Sequence, residues 1–337
     1  MAPSSLTRPG TQPVFQTDPR FLVFRNGMLG NTLMAEPFLR AVKSLYPASR
    51  IALVVDPVGL GLLKTHPAID EFFLFDKTKD SLSTQWSLVR AWRSRGFDAS
   101  FHLRTGIRNE LLAFLSGIPV RIGTKLKGSF QFLTQIQPKR DQMHVLDALS
   151  AFASQALGQD ITLPPPLLFP DPEAGAQAEA FLTAHNLRPG RFLALHLGGR
   201  TCNGLEWGPQ AFAAPLALAR KRLGLDAVLI GTPDEAAPIA AAFPQGPGLV
   251  HAFGQPMGLS SEIIRRAAAF LGNDSGPAHV AEAWGLPKVV AFPDDPANFT
   301  RWKPLHPDRS LVILRPQFAD PATPQAIAGW LAERVTA

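Results

Sequence analysis

Short apolar runs alternate with stretches of helical period along most of the chain. Residues 21–25 (FLVFR) read as a buried strand. From about 31 to 45, Leu33, Met34, Phe38, Ala41, Val42 and Leu45 share one face of a helix. Residues 51–55 (IALVV), 72–75, 100–103 and 120–122 predict further strands, with helical patterns at 86–95 and 108–115 between them. Strands that alternate with helices imply a parallel sheet covered on both faces.

Residues 163–172 (LPPPLLFPDP) break this rhythm. Five prolines in ten residues exclude a central strand or a helix interior and mark an interdomain linker. Alternation then resumes, with strands predicted at 192–197, 227–230, 268–271 and 289–292. Helices are predicted at 209–222, 234–242, 276–284 and 324–335. The reading is two doubly wound units, 21–162 and 173–337, after a polar leader, 1–20, that reads as flexible. The closing helix has the option of packing back on the first unit. In such sheets a ligand sits at the carboxyl ends of the strands, here the cleft between the units.

Composition narrows the function classes. With 337 residues, 46% hydrophobic and 18% charged, the chain is long and apolar enough for two folded domains. Cys202 is the single cysteine, which excludes an intrachain disulfide and Cys/His zinc frameworks. No run approaches the ~18 apolar residues of a membrane span, so the expectation is a cytoplasmic protein, with at most surface contact with a membrane. Residues 1–170 carry 19 Lys+Arg against 12 Asp+Glu, whereas residues 171–337 carry 14 against 15. The excess predicts an acidic partner for the first unit; the plainer alternative is solubility without a partner. Nucleic acid is disfavoured, because no basic cluster interleaved with aromatics occurs.

Three glycine turns carry the candidate chemistry. In 270–279 (FLGNDSGPAH) a strand ends, small residues turn, and a helix opens near Gly276 with Asp274 or Ser275 as cap and Pro277 in the first turn. The free amides and dipole of such a start attract an anion, Gly276 admits a diphosphate to the backbone, and His279 lies beside Ser275. The plain alternative is a capped helix with a surface histidine. In 195–200 (LHLGGR) a strand runs into Gly198 and Gly199, with Arg200 able to pair with phosphate. In 25–31 (RNGMLGN) the spacing departs from the G-x-G-x-x-G of dinucleotide folds.

Together these segments resemble glycosyltransferase family 9, the heptosyltransferases of lipopolysaccharide assembly. The matching residues are Arg25, Leu29-Gly30-Asn31, Pro37 and Leu39-Arg40-Ala41-Val42-Lys43. They continue with His196 and Gly198, Trp207-x-Pro209-x-x-Phe212, Gly231-Thr232-Pro233-Asp234-Glu235, and 272–279 followed by Gly285-x-Pro287. The resemblance spans about 21–310. It implies a GT-B fold of two Rossmann-like domains, with a nucleotide-sugar, typically ADP-heptose, on the C-terminal domain. An anionic glycan or glycolipid acceptor faces the N-terminal domain at the inner face of the inner membrane. The implied transfer inverts the anomeric centre and uses no metal or other cofactor. By the same carry-over, the Ser275 and Gly276 amides hold the diphosphate, and Asp274 and His279 frame the sugar and phosphates. Glu235 lies near the ribose, and 196–199 line the nucleotide pocket.

Two departures bear on catalysis. The family's Leu-Gly-Asp supplies the base as its Asp, and this chain has Asn31, whose amide accepts no proton. A family Lys two residues before Trp207 is Leu205 here, leaving Arg200, Arg301 and Lys303 as candidates to replace its charge. Three readings of Asn31 follow. Another group takes the proton, for which His102 at a strand end is the candidate. Alternatively, Asn31 only positions the acceptor, with transfer slow or assisted by the substrate. In the third reading the chain binds a nucleotide-sugar silently. Glu36 lies about 140° around the helix from Asn31 and suits the base role less well. Transfer from a different sugar nucleotide is the enzymatic alternative.

Overall fold

The structure is a computed structural model that describes residues 15, 18–76, 79–104, 106–124, 132–199, 207–314, 317 and 320–335. In the first half, β1 (Arg20–Phe24), β2 (Arg50–Val55), β3 (Glu71–Leu74), β4 (Ala99–His102), β5 (Val120–Thr124) and β6 (Gln135–Gln137) form one sheet. Its order is β3-β2-β1-β4-β5-β6, and the pairing is parallel throughout. Around it lie α1 (Leu29–Leu33), α2 (Glu36–Leu45), α3 (Pro57–Leu63), α4 (Leu82–Arg95), α5 (Ile107–Leu115) and α6 (Val145–Leu157).

The second half repeats the plan. Its strands are β7 (Phe192–His196), β8 (Asp226–Gly231), β9 (Leu249–Phe253), β10 (Ala269–Asn273), β11 (Lys288–Phe292) and β12 (Ser310–Leu314), in the order β12-β11-β10-β7-β8-β9. Its helices are α7 (Pro172–Ala184), α8 (Ala213–Leu223), α9 (Pro233–Ala242), α10 (Met257–Arg265), α11 (Gly276–Ala283), α12 (Pro296–Trp302) and α13 (Thr323–Val335). Each sheet switches direction beside its first strand, at β1/β4 and at β7/β10, where chains leaving opposite ways open a crevice.

The expected helix over 31–45 is two helices. Pro37 has no amide to donate and sits in the first turn of α2, so the chain turns at Met34 and Ala35 instead of running on. The apolar stripe still buries Leu33, Met34, Phe38 and Val42. The proline-rich segment is strapped to the first half: Glu36 accepts from Leu167 N, Arg40 donates to Pro165 O, and Thr65 donates to Phe169 O. Its last residue, Pro172, already belongs to α7, capped by Asp171. Most of the leader lies outside the described residues; Phe15 seats edge-on against Phe21 and Tyr46, and Arg20 opens β1.

The closing helix lies on the second half. Ile327, Ala328 and Leu331 of α13 are buried with Leu193, Phe212 and Leu271 of the second, and the helix packs on α8. The halves are joined elsewhere. One apolar core runs from Phe21, Phe38 and Phe101 through to Phe192, Phe270 and Phe292. Where α3 meets α10, a Cβ on Gly258 would lie 3.0 Å from Gly61 O, so the two backbones approach closely at this glycine.

Candidate active site

The start of α11 is uncapped by any side chain. Ser275 is extended at φ −159°, and its buried Oγ has no hydrogen-bond partner among the described residues. In the first turn Pro277 has no amide, and Ala278 N and His279 N donate back to Ser275 O at 3.1 and 3.4 Å, so the Gly276 amide and the helix dipole are what the start of α11 offers an anion. Gly276 has a further reason to be glycine: its missing Cβ would lie 2.8 Å from Leu29 of α1. On that side Gly276 is packed against the other half of the protein.

Asp274 and His279 flank this start. Asp274 is 4% exposed and accepts from Asn298 Nδ2 at 2.8 Å; burial pushes its carboxyl pKa up against the pull of His279, Asn298 and Lys288. His279 Nε2 lies 3.8 Å from Asp274 Oδ1, and its ring is 5.2 Å from that of Trp302.

The second turn is built by Asn273, the last residue of β10. Its amide donates to Leu197 O and Trp207 O and accepts from Trp207 N, which pins the chain leaving β7. Glu235 accepts from the Thr232 amide at 2.8 Å and its hydroxyl at 3.0 Å, and faces His196 Nε2 at 3.5 Å. Burial would raise its pKa, but His196 and Thr232 outweigh burial and bring it to about 2. The Glu235 carboxylate rests where a Gly198 side chain would be, so Gly198 supports Glu235 from behind, while Gly199 is open to the cavity.

The first half contributes α1. Arg25, 6% exposed, donates to the Asn31 carbonyl at 2.6 Å, to Asn31 Oδ1 at 2.8 Å, and to Leu103 O. Burial, with Arg104 and Arg301 nearby, lowers its pKa to about 9. Asn31 lines the cavity wall with its side chain turned to this guanidinium.

His102 is elsewhere. It shares a face of its sheet with Ser100 and with its register partner Phe24, and side chains alternate along a strand. It therefore stacks on Phe24 at 4.5 Å and bonds Ser100 Oγ at 3.0 Å, with no exposed surface. Burial and Arg121 push its pKa down to about 3. The expectation that it reaches the cleft is corrected by this strand parity. Glu36 is also interior, held by Arg40 and by His66 at 3.0 Å.

A cavity of about 560 Å³ collects Gly30, Asn31, His196, Gly199, Glu235, Asp274, Ser275, Gly276 and His279. Arg25 and Gly198 stand behind its wall, and Arg200 and Leu205 lie outside the described residues. Of the candidate replacements for the missing Lys, Arg301 instead approaches Asp141 at 3.6 Å. Sequence reading missed Gln255, Met257 and Ser260, which line the wall at and before α10, and Asn298 of α12. The Asp295-Pro296 pair, a cap followed by proline in the first turn, was the available signal for α12.

Residues 85–322 match the family model described as glycosyltransferase family 9 (heptosyltransferase). A Haemophilus influenzae protein bearing a provisional glycosyltransferase name is 23% identical over 310 residues, 85% of this chain and 86% of that one. In structure, the chain is similar to a family 9 glycosyltransferase of Veillonella parvula (TM-score 0.80, 20% identity, 97% of this chain and 98% of the other). It is also similar to the ADP-heptose lipopolysaccharide heptosyltransferase II of Escherichia coli (TM-score 0.77, 20% identity, 94% and 98%). At this identity the structural likeness establishes the shared GT-B fold.

Proposed function

This chain belongs to glycosyltransferase family 9 (heptosyltransferase), and from that premise we propose that it moves heptose from ADP-heptose to an anionic glycan of the lipopolysaccharide core. The observation that carries the reading is one cavity in which the uncapped start of α11 and Glu235 face Asn31 of the other half. A diphosphate at the Ser275 and Gly276 amides puts the ribose toward Glu235 and His196. The sugar then lies between Asp274, His279 and the acceptor side. The donor name of the Escherichia coli relative supports ADP-heptose, and the basic first half supports an anionic acceptor.

Transfer is inverting and needs no metal in this reading. The acceptor hydroxyl oxygen bonds to the anomeric carbon as its bond to the diphosphate oxygen breaks, and the helix amides receive the departing charge. Asn31 orients the hydroxyl. Its proton passes to an anionic group carried by the acceptor, because the amide takes none. We place the enzyme in the cytoplasm, at the inner face of the inner membrane; among the described residues no helix is long and apolar enough to cross a membrane.

A silent nucleotide-sugar-binding role is the second reading, favoured by the Asn31–Arg25 pairing at the base position. Mass spectrometry of the protein with a panel of sugar nucleotides and a core acceptor decides. A heptose mass added to the acceptor with ADP released supports transfer, and tight binding without turnover supports the silent role. If no sugar nucleotide binds, both fall.

A further inference from the structure

The helices on the far side of the first sheet turn an apolar and basic face to water. α4 and α5 pack side by side over Leu22, Phe24 and Val54, on the sheet face opposite the one that α2 and α6 cover. Val89 and Trp92 of α4 point into that core. Along the other side of α4 run Leu82, Trp86, Arg90 and Arg93, at spacings of four, four and three residues that keep one line on a helix. Leu82 is 75% and Trp86 51% exposed, and both arginines are exposed. On α5, Ile107 is 53% and Phe114 47% exposed, two turns apart on one face. Arg93 donates to Leu115 O and so ties the ends of the two helices together. No exposed carboxylate interrupts either helix: α4 has no acidic residue, and the one of α5, Glu110, is fully buried.

Single exposed apolar side chains are ordinary, but a group of large ones on two touching helices marks a surface that meets an apolar partner. The charge selects which one. Pairing this face with itself about a two-fold axis sets arginines against arginines with no acid between them. A phospholipid surface instead offers phosphates above and acyl chains below, which matches arginines set beside tryptophan and leucine. We propose that the α4–α5 face docks on an anionic phospholipid bilayer, with Leu82 and Trp86 entering the headgroup boundary and Arg90 and Arg93 pairing with lipid phosphates. Membrane contact as such rests on the reading above; the choice of face does not. The place of the face suits a lipid-linked acceptor. β3 ends at Leu74 before α4 starts at Leu82, and β4 ends at His102 before α5 starts at Ile107. Leu82, Trp86 and Ile107 therefore lie toward the carboxyl edge of the first sheet, the edge from which residues 27–31 leave β1 to line the cavity.

The experiment sediments the full-length protein with vesicles of equal parts phosphatidylglycerol and phosphatidylcholine, at low and high salt. Binding should fall steeply with salt and be about tenfold weaker on phosphatidylcholine alone. Leu82→Ser/Trp86→Ser should weaken it by about tenfold or more, and Arg90→Gln by about fivefold. These side chains are exposed, so thermal midpoints should hold. Leu314→Ser, at an exposed leucine of β12, is the control and should bind as the wild type does. Variants that bind like the wild type overturn the docking face and leave membrane contact standing. A wild type that ignores anionic vesicles overturns both. A dimer in sedimentation velocity that Leu82→Ser/Trp86→Ser dissociates assigns the face to a second copy and also overturns the proposal. Vesicle binding that follows the variants in a protein that transfers no sugar supports the face and tells against the transfer reading alone.

Discussion

Gly30 of α1 faces the ring of His279 so closely that a Cβ on Gly30 would lie 2.9 Å from the imidazole Cδ2. Beside it, Leu29 fills the space in front of Gly276. Each half of the protein thus supplies the glycine that lets the other half approach, and the seam between α1 and α11 forms one wall of the cavity. Residues of the first half are therefore in direct contact with residues of the second.

Gly276→Ala should strain that seam. Overpacking of this kind costs about 1–3 kcal/mol, read as a lower thermal midpoint. Leu29→Ala in the same chain should recover part of the loss, because it removes Leu29 Cγ and Cδ2 but keeps the Cβ that also lies 2.8 Å from the new methyl. If the double variant is no more stable than Gly276→Ala alone, the seam is not what requires the glycine.

Asn31→Asp places a carboxylate at the cavity wall, where Arg25 now donates to the Asn31 amide oxygen at 2.8 Å. It restores a proton acceptor to the position, and the transfer rate should rise by about tenfold or more, within the range for a general base. Steady-state kinetics with the identified donor check this, and an unchanged kcat argues that Asn31 does not face the acceptor hydroxyl.

His102→Leu should leave kcat within about twofold, since a group folded between Phe24 and Ser100 does not touch substrate; its effect should fall on stability. The pH dependence has a definite sign. The unfolded imidazole protonates near its ordinary 6.5, and the folded one resists to about 3. Between these values the unfolded state binds more protons, so this contribution to stability is present above 6.5 and lost as pH falls toward 3. Denaturant titrations should show the wild type losing ground to His102→Leu across that window.

Glu235→Gln should weaken ADP binding by about 1–3 kcal/mol, the loss of a charge-assisted hydrogen bond. Gly198→Ala should have the same effect by displacing the carboxylate that rests on that glycine. Calorimetry on both variants makes the comparison, and normal affinity in Gly198→Ala would separate the two residues.

The alternation of apolar runs and helical stripes was enough to read two parallel-sheet units with a proline-rich junction, because period 2 and period 3.6 are local properties of the chain. The glycine turns at the ends of β1, β7 and β10 were legible for the same reason, and with them Asn31, His196 and Ser275. The tertiary structure decided what those turns face. Gly276 read as room for a ligand and is occupied on one side by Leu29, a residue 247 positions earlier in the chain. His102 read as a cleft residue, yet strand parity and the packing of Phe24 turned it inward. Glu282 and Lys288 carried no signal at all, since an ion pair between a helix and the following strand exists only once α11 lies over β11. Local pattern sets which elements form; which side chains meet depends on how the two sheets pack, and no short window of sequence contains that information.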